Sequence, residues 1–380
     1  MNRIFQIDCF RGWMLLIMTV DHLFFLPFSY LEGWSNVTYG FAGYVTAAEG
    51  FFFLSGLVSG IVFTNVIVSK SYGYARSKLL HRARELYLWH LLCFTLAALI
   101  IFCFPSITSS WAENPYMTDF VESPMVSLIM GAFFTSLPNL LDILPVYVLF
   151  LVITPFILKA FLHGKLKAII SGCFVFWLIA QFRPQDVLWT QVHSWFPQLP
   201  WNFGYFEILA WQLIFVLGLG FGYSLVNGTL KLPKSRSLLV VSLLFTAFML
   251  CHRHSSTLQL VMPLQEYWTS ISSFGPLRLL NTITLAYILF WVACKFPNFF
   301  KQKPLIYLGQ HSLYVFTYHI ILLYTLTLFR TPISELNVFL QILIFGACLV
   351  SLWMPAYAHS VWKAKQKVEL SRTKGTKLAV

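Results

Sequence analysis

The chain is 380 residues long, 58% hydrophobic and only 11% charged, with a formal net charge of +12. Water-soluble domains carry roughly 25% charged residues, so this composition leaves too little polar surface to coat a globule in water. The positive charge does not point to nucleic acid either. The basic residues flank apolar runs instead of forming one stripe, so membrane lipids are the expected partner and no nucleic acid is.

Crossing a hydrocarbon core of about 30 Å takes roughly twenty apolar residues. Runs of this kind lie at 10–28, 46–68, 86–104, 142–162, 166–183, 204–226, 237–252, 276–295, 305–329 and 337–357. They predict an all-α fold, a polytopic integral membrane protein with about ten transmembrane helices. The expected organisation is a single transmembrane domain over 1–362 and a basic, disordered cytoplasmic tail over 363–380. The first run ends without a small-residue cleavage site, so it reads as a span and not as a cleaved leader. Segment 124–138 is apolar but short and is bracketed by Pro124 and Pro138, which predicts an interfacial or re-entrant piece.

Lysine and arginine set the expected orientation. With the N-terminus inside, all of the 26 Lys and Arg residues except Arg183, Arg253, Arg278 and Arg330 fall on the cytoplasmic side. The positive-inside rule then favours both termini in the cytoplasm. The longer loops, 105–141 and 184–203, fall outside and hold Trp111, Glu113, Tyr116, Asp119, Glu122, Asp186, Trp189, His193, Trp195 and, at their edge, Trp201. Such rings and acids suit sugar stacking and hydroxyl contacts, and equally an interfacial aromatic belt. The seven cysteines lie mostly within apolar segments without metal-like spacing, so they read as small core residues and no metal is expected.

Charge at membrane depth costs at least about 2.5–3.5 kcal/mol, which makes each instance a functional candidate. The densest cluster is IDCFRGWMLLIMTVDH, residues 7–22, with Asp8, Arg11, Asp21 and His22. Eleven residues at 100° each bring His22 to about 20° past three turns from Arg11, on the same helix face and roughly 16 Å further along the axis. A cation at one end of a face and a titratable base farther along suggest a transmembrane pathway. The plainer reading is a snorkelling arginine and a packing histidine.

The second span opens AAEGFFFLSGLVSG, residues 47–60. Glu49 enters near the depth of His22 and could orient its imidazole, or it is an interfacial acid. Gly56 and Gly60 form a small-xxx-small step for close helix packing. At the inner end of the third span, Arg76, Lys78, Arg82 and Arg84 form a cation cluster that suits phosphate binding or simply marks orientation. Farther on, Gln212 is buried in FEILAWQL, and LGQHSLYVFTYH places His311 near the inside and His319 near mid-membrane.

These residues also carry a resemblance. IDCFRGWMLLIMTVDH resembles the Arg-x10-His signature of the acyltransferase-3 superfamily of membrane proteins. AAEGFFFLSG, DILPVYVLFLVITP, WNFGYFEILAWQLIFVLG and LGQHSLYVFTYH more narrowly resemble the OpgC family, named for succinylation of osmoregulated periplasmic glucans. The resemblance runs from about residue 5 to 330 with the motifs in order.

It implies a ten-helix enzyme of the bacterial inner membrane, with acyl-CoA (succinyl-CoA or acetyl-CoA) as co-substrate on the cytoplasmic side. The acceptor would be a hydroxyl of a glycan on the outer side. Position by position, Arg11 and His22 match the superfamily signature and Glu49 the acidic position of the second motif. The Arg-x-x-Arg motif is half present: Arg82 fits, Glu85 stands where the second arginine would be, and Arg84 is the nearest substitute. On this reading His22 is the general base, Glu49 or Asp21 steadies its protonated form, and the extended pantetheine arm reaches through the bundle past Arg11. Arg82 and Arg84 hold the CoA phosphates, and Asp8, Gln212 and His319 are further substrate-binding candidates. The rival readings are a transporter or flippase for a glycan or lipid-linked sugar, which would need inverted halves with paired broken helices, and a membrane sensor or scaffold.

Overall fold

The computed structural model describes residues 4–24, 40, 42–114, 116–230 and 232–377. The end of the first expected span, 25–28, and the orientation-setting Arg3 and Lys231 lie outside the described residues. Of the described residues 79% are helical, and none lies in a strand. In chain order the principal helices are α1 (Phe5–Phe24), α2 (Ala47–Ser69), α3 (Tyr72–Cys103) and α4 (Ile143–Leu162). They continue with α5 (Leu166–Ala180), α6 (Pro184–Trp195), α7 (Ile208–Val226), α8 (Arg236–His254) and α9 (Pro276–Lys295). The last four are α10 (Lys303–Gln310), α11 (Ser312–Thr327), α12 (Val338–Ser351) and α13 (Trp353–Lys377).

Among the described residues, seven helical segments are long and apolar enough to cross a membrane: α2, α3, α4, α7, α8, α9 and the stretch Val338–Gln366 that joins α12 to α13. The pair α5 and α6, bent by 54°, makes an eighth if taken as one span. The remaining two of the ten expected regions depart from a plain apolar rod. Helix α1 carries Asp8, Arg11 and Asp21, and the run at 305–329 is broken at His311 into α10 and α11. The 124–138 segment holds Pro124–Ala132, nine residues and too short to span. The expected disordered tail is instead helical through Lys377, as its Ala, Lys, Gln and Glu content allows. Side chains such as Leu244, Phe339 and Val350 are about two-thirds exposed, at 66%, 66% and 69%. A protein in water rarely exposes runs of such residues, whereas lipid solvates them.

The chain forms two compact units: Met1–Ser35 with Phe296–Val380, and Asn36–Lys295. In the larger unit, α2 and α7 are in backbone contact. A Cβ at Gly56 would collide with the Phe215 carbonyl and one at Gly60 with the Leu219 carbonyl; Gly218 and Gly222 stand likewise against the Phe53 and Leu57 carbonyls. Small residues on both faces permit this approach, which lipid-immersed helices use because solvent offers them no hydrophobic drive to associate. The expected packing role of Gly56 and Gly60 is therefore the observed one.

The bend between α5 and α6 has a local cause. Pro184 disfavours the helical conformation at the residue before it, and Arg183 takes a left-handed φ of 51°. Helix α6 restarts with Pro184 in its first turn. In the smaller unit, α1 crosses α10 with the same glycine device: Gly12 lies on the Leu305 carbonyl and Gly309 on the Asp8 carbonyl.

Candidate functional site

The glycine contact of α1 with α10 fixes what the first helix can reach. Because α10 stops at His311 and α11 starts at Ser312, the Ser312 hydroxyl is presented at a fresh helix start. There it accepts a hydrogen bond from the Arg11 guanidinium. One helix length on, His22 Nδ1 and His319 Nε2 are 3.0 Å apart. Their rings stack with centroids 5.1 Å apart at 16°. The two rungs, Arg11 with Ser312 and His22 with His319, run in the same chain direction, so α1 and α11 are parallel along this face. His319 is buried, while His22 stays partly exposed. With Nδ1 occupied by His319, Nε2 is the nitrogen of His22 left to meet another molecule.

Asp8 and Asp21 are both buried on α1. In the same unit His311 Nδ1 and His359 Nδ1 are 2.7 Å apart, and the His359 ring stacks on Tyr314 at 3.7 Å. Sequence reading had no means of pairing these histidines: the first pair is separated by 297 residues and the second by 48.

In the larger unit Glu49 is buried and forms an ion pair with Arg278. Its other oxygen accepts from the Thr46 N–H at 2.9 Å and the Thr46 hydroxyl at 2.7 Å, which closes the first turn of α2. Arg278 Nε also donates to the Thr269 carbonyl at 3.0 Å. Glu49 is thus an acid whose oxygens are committed within its own unit, and the partner that the structure gives to His22 is a second histidine. Nearby, the Tyr44 hydroxyl and His252 Nδ1 lie 2.8 Å apart, and the Tyr44 N–H donates to Asn281 at 2.9 Å.

Arg82 pairs with Glu85 at 2.7 Å, one turn along α3, so the residue that departs from the Arg-x-x-Arg pattern engages the arginine that fits it. Arg84 is exposed. Gln212 donates its amide to the Cys173 carbonyl at 2.7 Å and to the Leu209 carbonyl at 3.0 Å, tying α7 to α5.

A second gathering in this unit comes from the 105–141 and 184–207 segments. Asn202 donates to the Tyr116 carbonyl at 3.0 Å and accepts from the Gly204 N–H at 2.9 Å. Asp142 accepts from the Tyr205 N–H at 2.9 Å. Gly204, at φ 81°, is needed because a Cβ would press on Asp142. Gln185, on α6, donates to the Phe203 and Gly204 carbonyls at 3.0 and 3.1 Å, and its N–H reaches Glu207 at 3.1 Å. Asp142 and Glu207 lie just before the apolar spans of α4 and α7. Burial raises the Asp142 carboxyl to about 6, opposed by backbone N–H bonds from Tyr205 and its own turn. Burial raises Glu207 to about 7, with the Gln185 N–H opposing, the charge of Asp186 adding and that of Arg183 opposing.

No curated protein and no solved structure matches the chain. A family model described as OpgC protein matches residues 3–364. By that match over essentially its whole length, the chain belongs to the OpgC family.

Proposed function

We propose that this protein is a membrane acyltransferase that moves a succinyl or acetyl group from acyl-CoA to a hydroxyl of an envelope glycan. Family membership suggests an acyltransferase-like activity on glycans in a membrane protein. The observation that carries the reading further is the His22–His319 pair. Acyl transfer to a hydroxyl needs a base that can take the proton as the oxygen attacks the thioester carbonyl. His22 Nε2 takes that role, and His319 holds the ring through Nδ1, as the third member of a catalytic triad orients its base. The tetrahedral adduct then collapses, the C–S bond breaks, and the CoA thiolate leaves and is protonated. Arg11, held by Ser312 on the same face as His22, lines the path of the acyl chain. Arg82 and Arg84 hold CoA phosphates on the cytoplasmic side, and the acyl group ends on the outer side of a bacterial inner membrane.

The test is mass spectrometry of envelope glycans from cells with the intact gene, the deletion and the His22→Ala variant. The expected result is loss of one acyl substituent, succinyl or acetyl, in both deletion and variant, with the variant still inserted in the membrane. Unchanged glycans in the deletion would favour the transporter reading. Full acylation in the variant alone would remove His22 as base.

A further inference from the structure

The residues that the mechanism does not use include a group of aromatic rings at the α6 end of the larger unit. Tyr116 stacks on Trp189 with centroids 6.1 Å apart at 29°, and meets Tyr205 edge-on at 5.3 Å. The file continues through Phe206, 5.8 Å from Tyr205, to Trp211 at 4.8 Å and Phe52 at 6.0 Å. Phe52 lies one turn after Glu49 on α2. The outer members, Tyr116, Trp189 and Tyr205, are partly exposed, whereas Trp211 and Phe52 are buried. An interfacial belt spreads its rings around the perimeter at headgroup level. These rings converge from three separate segments on one place.

They are also held in place. Asn202 fixes the backbone of Tyr116, Asp142 that of Tyr205, and Gln185 ties α6, which carries Trp189, to the 203–204 turn. A belt needs no such anchoring, while a binding surface gains from it, because rings already ordered lose little freedom when a ligand arrives. The charge balance selects the ligand further. Asp186 is offset by Arg183 at 2.6 Å, and Asp142 and Glu207 are buried with their carboxyls turned to the backbone N–H groups of Tyr205 and Gln185. An uncharged ligand with flat apolar faces and hydroxyl edges, a neutral oligosaccharide, fits such a surface.

We infer that Tyr116, Trp189 and Tyr205 form a carbohydrate-binding platform that holds the neutral glycan acceptor. This rests on the acyltransferase reading for the word acceptor, but the binding itself does not depend on it.

The experiment measures binding of cellohexaose and maltohexaose to the full-length protein in nanodiscs by titration calorimetry, alongside acyl transfer to the same sugars. Trp189→Ala and Tyr116→Ala should weaken sugar binding and raise the acceptor KM by about tenfold each, with kcat and the donor KM unchanged. Trp189→Phe, which keeps a stacking face, should restore most of the affinity. Trp195→Ala, on the same helix and 63% exposed, should change neither. His22→Ala should bind sugar normally and transfer nothing. Failure of both sugars to bind the intact protein would overturn the platform. Equal losses in Trp195→Ala and Trp189→Ala would also overturn it, pointing to an interfacial belt. Sugar binding that depends on Trp189 without any acyl transfer would keep the platform and sink the acyltransferase reading. Transfer with an acceptor KM indifferent to Trp189 would do the reverse.

Discussion

His22 and His319, 297 residues apart in the chain, share a hydrogen bond of 3.0 Å between their ring nitrogens. A histidine whose Nδ1 is taken by a second histidine has its ring orientation set from behind, and Nε2 faces the other way. On the proposed mechanism His319 is a positioning residue and need not touch substrate.

His319→Leu should lower kcat by about 10²–10⁴-fold, the range attributable to a positioned base, and leave the donor KM unchanged. His319→Gln, whose amide reaches where Nε2 stood, should recover part of the rate. A merely structural role would depress both variants equally, so steady-state kinetics on the pair decides the matter.

Glu49 and Arg278 are buried together, with side-chain exposure of 0% and 4%. Removing one partner strands the other charge, at a cost of about 3–5 kcal/mol. Glu49→Gln and Arg278→Met should each lower the unfolding temperature of the purified protein markedly. The double variant Glu49→Leu with Arg278→Met should regain much of it. An additive double variant in thermal unfolding would refute the pairing as the cause.

Glu85→Gln releases Arg82 from its neighbour. The pair is part-exposed, at 35% and 31%, so stability should hardly move. If Arg82 binds phosphate, the freed guanidinium should lower the KM for acyl-CoA by up to about fivefold. A KM that stays constant while Arg82→Ala is also silent would take this arginine out of the donor site.

Gly56→Ala should destabilise the protein by about 1–3 kcal/mol, because the new methyl meets the Phe215 carbonyl and α7 must shift. Gly172→Ala, where a Cβ meets nothing within 4 Å, should be neutral or slightly stabilising, since alanine is the better helix former. Thermal unfolding of the two variants in the same detergent compares them directly.

Much of the architecture was legible in the sequence because its determinants are local. Apolar runs of spanning length mark α2, α4, α7, α8 and α9 within a few residues, and Pro124 and Pro138 announce a piece too short to cross. The spacing of Arg11 and His22 on one face is helical arithmetic, and both side chains do meet α11. What stayed hidden depends on contacts distant in sequence. Nothing near Glu49 shows that Arg278 will take its carboxylate. Nothing in FEILAWQL shows that Gln212 will spend its amide on the Cys173 carbonyl. Hydropathy also says little about a span broken in the middle, such as the one that yields Ser312 as a helix start.

The crossing of Gly12 over Leu305 and of Gly309 over Asp8 has a consequence for biogenesis. The ribosome delivers α1 before α10, and the surface it packs on is synthesised only after the whole of the larger unit. Until then a helix carrying Asp8, Arg11 and Asp21 must wait without its mate. A nascent chain halted before residue 303 therefore offers a charged, unmatched helix to membrane quality control, and no fragment from the first half can assemble the histidine pair.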